Sequence, residues 1–314
     1  MKHIIPPIPK NEIKKELTAE RFVRYTNFGN NEIYCVNHFN SPKVLQEIGR
    51  LRELTFRNAG GGTGKELDLD KLDLAEVPYE QLIIWDPEAE EILGGYRYML
   101  GNKIKRNPNG TMAMATAGLF KLSENFITNY LPYTIELGRS FVQPNYQSRG
   151  INRKTLFALD NLWDGLGALI IDNPEMKYFF GKVTMYTYYN LKARDTILYF
   201  LKKKFGDTQG LLCPKAALSI HTPEIELEAL FVGKEYDEAY KTLSRTVRDL
   251  GENIPPLINS YMNLSPTMVT FGTSINDHFG NVEETAILIT VKDIYPDKKE
   301  RHIDTYVANN TRKY

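Results

Sequence analysis

Polar and apolar residues alternate over 31–37 (Asn-Glu-Ile-Tyr-Cys-Val-Asn), the pattern of a half-buried strand. The period then changes. Val44, Ile48, Leu51 and the Leu54/Thr55 pair recur at helical spacing behind Ser41, which stands in an N-cap position, so a helix is predicted over 41–57. Two apolar runs, 81–85 and 92–100, read as strands joined by the turn sequence Asp-Pro-Glu-Ala-Glu-Glu. The connection 101–132 is weakly patterned, with a short helix near 121–130. A strand over 134–143, a helix over 151–169, a strand over 178–185 and a helix over 190–205 follow, the last closed by Gly206 as a C-cap. Beyond lie a loop with Pro214, a charged helix over 235–250, a helix opened by Pro255-Pro256 and an apolar strand over 285–291.

This order is that of an α/β protein with a mixed, mostly antiparallel central sheet flanked by helices. No linker splits it. The expected organisation is an N-terminal arm (1–30, with a helix over 9–24), a core (31–210), a C-terminal extension packed on that core (211–291) and a polar, frayed tail (292–314).

Composition narrows the function classes. Lys+Arg and Asp+Glu balance at 39 each, so no global field draws the molecule to nucleic acid. The two cysteines, Cys35 and Cys213, have no metal or disulfide-framework spacing, which fits a reducing compartment. The five histidines are scattered, and no metal site is expected. The N-terminus lacks a signal-peptide core, and no apolar run approaches the ~20 residues of a membrane span, so a cytoplasmic place is expected.

The chemistry concentrates between a predicted strand and a predicted helix. Tyr146-Gln-Ser-Arg-Gly-Ile-Asn152 joins them, and a helix start preceded by glycine offers unpaired N–H groups to a phosphate. Gln147-x-x-Gly150-x-Asn152 approaches the Gln/Arg-x-x-Gly-x-Gly/Ala pattern of coenzyme A pyrophosphate loops. In the strand before it, Glu136-Leu-Gly-Arg139-Ser carries a carboxylate and a guanidinium three apart. A bulge at Gly138 would bring both to one side and free backbone amides for an oxyanion. A structural ion pair between the two is the alternative.

Other features carry less. The glycine run 60–64 is no Walker A loop, because Ala59 and Glu66 stand where glycine and Ser/Thr are needed; it reads as a mobile substrate cover or a plain connection. Asp68, Asp70 and Asp73 lack EF-hand spacing. Tyr186, Tyr188, Tyr189 and Tyr199 compete as proton donors to a leaving thiolate, or are packing residues. Lys192, Arg194, Lys202, Lys203 and Lys204 mark either a basic face for an acidic carrier or a solvated helix.

In order along the chain, Leu51-Arg-Glu-Leu-Thr-Phe56-Arg, Asp70-x-x-Asp73, Gly94-Gly-Tyr-Arg97-Tyr and Glu136-Leu-Gly-Arg139-Ser resemble the acyl-carrier-protein-dependent GNAT acyltransferases. That group holds acyl-homoserine-lactone synthases and the N-acyltransferases of ornithine and glycine lipids. The run from Arg57 to Lys65 and Ile254-Pro-Pro-Leu-Ile-Asn-Ser-Tyr are most similar to the lyso-glycine lipid type. The resemblance implies a GNAT fold, with Glu136 and Arg139 catalytic and Arg52, Phe56, Asp70, Asp73 and Arg97 ordering the substrate site. It assigns Gln147, Arg149, Gly150 and Asn152 to the donor's phosphopantetheine arm. It further implies no bound cofactor, and acyl carrier protein as partner, or acyl-coenzyme A as donor in its place. The acceptor would be a small amino acid, glycine first, and the acyl chain long, with or without a 3-hydroxyl. Peripheral contact with the inner face of the membrane is compatible with that product. Two departures stand out: the glycine run replaces the tryptophan of the lactone branch, and Asn152 occupies a usual Gly/Ala position. The competing readings are acylation of another small amine from acyl-coenzyme A, and a non-catalytic acyl-carrier or lipid-binding protein.

Overall fold

A computed structural model describes residues 1–147 and 153–307. The first half of the chain forms α1 (Lys10–Glu16), β1 (Phe22–Tyr25), β2 (Glu32–Val36), α2 (Pro42–Asn58), β3 (Glu80–Asp86), β4 (Glu91–Leu100), β5 (Phe120–Leu122), β6 (Thr134–Val142) and α3 (Arg153–Asp172). The second forms β7 (Tyr178–Met185), α4 (Leu191–Phe205), β8 (Leu212–Pro214), α5 (Glu224–Phe231), α6 (Tyr236–Asp249), α7 (Pro256–Met262), β9 (Val269–Asn276), β10 (Val282–Thr290) and α8 (Pro296–His302). Two compact units result. The first takes the described residues of 1–114, 132–177 and 295–314, the second those of 115–131 and 178–294.

In the first unit β1, β2, β3, β4 and β6 are successive antiparallel neighbours. Side chains alternate across a strand, and two consecutive residues show where the helices lie. Gln81 on β3 reaches Arg52 of α2. Leu82, the next residue, lies against α3, where a Cβ on Gly165 would stand only 2.3 Å from its Cδ2. The two helices therefore cover opposite faces, and glycine at 165 permits the close approach of α3. Helix α2 buries Val44, Leu45, Ile48, Leu51 and Phe56 as its spacing requires.

Three expectations in this unit are corrected. The helix over 9–24 stops at Glu16, and Phe22–Tyr25 becomes an edge strand, as its aromatic and β-branched residues favour. The side chain of Ser41 makes no cap bond. Instead Glu16 Oε2 accepts from the N–H groups of Lys43 and Val44, both at 2.9 Å, so a carboxylate from α1 caps α2. The tail is polar but not frayed over 296–302: His302 is buried and its Nδ1 lies 2.8 Å from Asp164 Oδ1 on α3.

In the second unit β10 lies antiparallel between β7 and β9. β5 and β8 form a short ribbon, and the short helix predicted near 121–130 is present from 124, π-helical over Phe126–Tyr130. Gly206 is extended (φ −62°) rather than left-handed. Its role is space: a Cβ there would stand 2.4 Å from the Lys202 carbonyl oxygen. Among the described residues no helix is long and apolar enough to cross a membrane.

Candidate active site

The residues of the four ordered motifs lie in the first unit, and all four motifs meet around one set of charges. Arg52 on α2 is fully buried and donates through Nε to Asp68 Oδ2 at 3.1 Å. Its terminal nitrogens reach Asp73 at 3.4 and 3.5 Å and Gln81 Oε1 at 3.4 Å. From β4, Arg97 donates to Asp70 Oδ2 at 2.8 Å and to Asp73 Oδ2 at 3.2 Å. From β6, the Nε of Arg139 stands 2.8 Å from Asp68 Oδ2. Three guanidiniums thus share three aspartates that one loop of six residues supplies.

This balance decides the protonation states. Burial alone would raise the carboxyls of Asp70 and Asp73. Arg97 reverses this for Asp70, and Arg52 with Arg97 for Asp73, holding both below the usual carboxylate range. Burial likewise opposes the charge of Arg97, but Asp73 and Asp70 outweigh it and raise its pKa well above normal. All the groups of the cluster except Asp70, whose side chain is 32% exposed, lie largely out of water, so the charges hold one another.

Strand β6 contains the bulge that its glycine predicts. Register runs Gly95↔Phe141 and then Arg97↔Gly138, so Tyr96 faces two residues, Arg139 and Ser140. The unusual backbone falls on Arg139 (φ 49°), one residue after the glycine. At Gly138 a Cβ would meet the Arg97 side chain only at ordinary contact distance, 3.5 Å from its Nε. That Nε–H has no hydrogen-bond partner among the described residues.

The bulge turns Arg139 toward the same face as Glu136. Glu136, 1% exposed, accepts a hydrogen bond from the Tyr79 hydroxyl at its Oε2. The Arg97 guanidinium sits 5.0 Å above the ring of Tyr79. A carboxylate that accepts from a phenol, next to a kinked strand and a buried cation with a spare donor, can position an amine and take its proton.

Phe56 is buried, and its carbonyl closes α2 by accepting from Ala59 and Gly61 N–H. Gln147 donates to the Val142 carbonyl at 2.5 Å. Arg149, Gly150 and Asn152 lie outside the described residues. Sequence reasoning left out Tyr79, Gln81 and Asp68 as site members. Asp68 shares the acidic loop with Asp70 and Asp73, which was a usable signal; nothing local marks Tyr79.

A cavity of about 210 Å³ opens at the ends of β3 and β4, with Phe39, Val77, Met99, Glu80 and Lys103 in its walls. Glu80 alternates away from the Gln81 face, so it belongs to no part of the charge cluster. Burial pushes its carboxyl up.

In the second unit the expected basic face is largely paired. Arg194 is buried and bonds Asp195 and Glu283 at 2.6 and 2.7 Å, which corrects its place on a solvent face. Lys192 meets Glu226 of α5 at 3.1 Å. Among the candidate phenols, burial first and Tyr188 and Glu284 next push Tyr186 up to about 12. Tyr189 is raised as well, mainly by burial, and its hydroxyl donates to the Asn253 carbonyl.

Residues 51–156 match the family model of the acetyltransferase (GNAT) domain, a span that holds the charge cluster and the bulged strand. The chain is 55% identical over 310 residues to the glycine N(alpha)-acyltransferase of Phocaeicola vulgatus, covering 99% of this chain and 95% of that protein. It is also 55% identical to the glycine N(alpha)-acyltransferase of Bacteroides thetaiotaomicron, covering 99% and 92%. No solved structure matches it. With such identity running from end to end, the chain belongs to the glycine N(alpha)-acyltransferase family and is an acyltransferase with a GNAT domain.

Proposed function

We propose that this acyltransferase moves a long fatty acyl group from the thioester of acyl carrier protein to the amine of glycine. The single observation that carries the acceptor is full-length identity to two glycine N(alpha)-acyltransferases. The site supports the chemistry. The amine of glycine attacks the thioester carbonyl; a C–N bond forms and the C–S bond breaks. Glu136 takes a proton from the attacking amine, Tyr79 orients the carboxylate, and the thiolate leaves to be protonated as the free thiol. Arg97 Nε–H and the backbone around Arg139 supply donors for the transient oxyanion.

The carrier-protein donor rests on the ordered motifs, and the phosphopantetheine assignment of Gln147, Arg149, Gly150 and Asn152 stays part of this proposal. So does contact with a membrane surface, since an N-acylglycine is amphiphilic. The test is turnover of purified protein with acyl carrier protein thioester or acyl-coenzyme A, against each amino acid in turn. N-acylglycine from the carrier-protein thioester is the expected product. Equal turnover with acyl-coenzyme A overturns the donor, and faster acylation of another amino acid overturns the acceptor.

A further inference from the structure

The glycine run has no part in the chemistry above, yet its placement is closely controlled. Glu53 on α2 is fully buried, one helical turn before Arg57. Its Oε2 accepts from the N–H and hydroxyl of Thr63 at 3.0 and 2.6 Å. Its Oε1 accepts from Gly64 N–H at 2.8 Å and Arg57 Nε at 2.7 Å. Arg57 then donates to the carbonyls of Lys2, at 2.7 Å, and Lys65. Gly62 (φ 90°) lets the loop fold over this pair, since a Cβ there would lie 3.1 Å from Arg57 Cγ. A mobile cover is not what these contacts describe. The loop is fastened at Thr63 and Gly64, four residues before Asp68, and Asp68 N–H is tied again to the Gly49 carbonyl at 3.0 Å.

We infer that Glu53 is a positioning residue for acyl transfer, acting through the loop 60–73. It fixes the start of the segment whose Asp68, Asp70 and Asp73 hold Arg139 and Arg97 beside Glu136. A buried carboxylate with four donors is a strong anchor, because each bond is charge-assisted and water is excluded. Its loss frees the loop ahead of Asp68, so that the counter-ion of Arg139 is held only by its remaining ties to Gly49 and Arg52. The inference rests on the reading of Glu136 as the group that serves the amine.

The test compares full-length Glu53→Gln, Glu53→Asp and Thr63→Val with wild type. In Glu53→Gln the amide group faces donors with a donor. Amides of 62–70 are expected to exchange about tenfold faster while those of β3 and β4 keep their protection. Turnover number is expected to fall about tenfold with KM for both substrates within about twofold, since geometry and not binding area is lost. Glu53→Asp recovers part of both losses. Should Glu53→Gln fail to fold, Thr63→Val keeps the carboxylate and gives the same two changes at smaller size. Wild-type loop exchange with wild-type turnover overturns the inference, as does exchange that rises uniformly through the unit. Glu136→Gln in the same assay separates the two ideas. Retained turnover there removes the functional reading, whereas its loss beside a fully active Glu53→Gln removes only this one.

Discussion

Two sets of charges, one in each unit, are used on opposite terms. In the first, Arg52, Arg97 and Arg139 are held by Asp68, Asp70 and Asp73, with most of these side chains out of water. In the second, Lys192–Glu226 and Lys203–Glu228 span 3.1 and 3.9 Å, with roughly half of each side chain in solvent. A buried cluster cannot be rearranged cheaply, so it fixes a loop and a strand relative to each other. A solvated pair is replaced by water at little cost. Arg194 and Lys182 lie in the second unit and are nevertheless paired out of water, like the first set.

Deleting a carboxylate breaks the contrast most sharply. Asp73→Ala leaves Arg52 and Arg97 both short of a counter-charge and should cost about 3–5 kcal/mol. Denaturant midpoints at constant slope would show it. Acid acts on the same groups more gently, because a protonated carboxyl can still hydrogen-bond. The folded pKa values of Asp70 and Asp73 lie below the unfolded ones, so their contribution is complete above about pH 4, the ordinary carboxylate value. It is lost as pH falls below that value through the folded pKa values. Unfolding followed by circular dichroism should show no loss from this cluster between pH 7 and 5 and a steep loss below 4. The smallest effect belongs to Lys192→Ala, about 0–1 kcal/mol and smaller still at 1 M salt. A Lys192→Ala cost equal to that of Asp73→Ala would erase the distinction.

The same contrast explains what could be read from the chain. Strand 178–185 and helix α2 follow their periodicity, because each buries one apolar face against a neighbour. β9 is hidden by Gly272 (φ 80°), which interrupts its alternation, and α8 by a sequence, Pro-Asp-Lys-Lys-Glu-Arg-His, with no apolar stripe. What orders α8 is Asp164, 138 residues away from His302 in sequence. In the site, Gly138 announced the bulge, but the left-handed residue is Arg139, whose side chain is held by Asp68. Tyr79 and Glu53 were illegible for one reason. Their partners, Glu136 and the Thr63–Gly64 amides, are set by the folded loop and sheet, and no spacing rule connects them.

Glu136 in the bulged strand is the centre of the proposed chemistry. The most direct test is steady-state acyl transfer to glycine by Glu136→Gln, which preserves shape and an acceptor for the Tyr79 hydroxyl. A fall in turnover of about a hundredfold or more, with the thermal midpoint close to wild type, is expected if the carboxylate receives the amine's proton. Turnover equal to wild type would contradict the account.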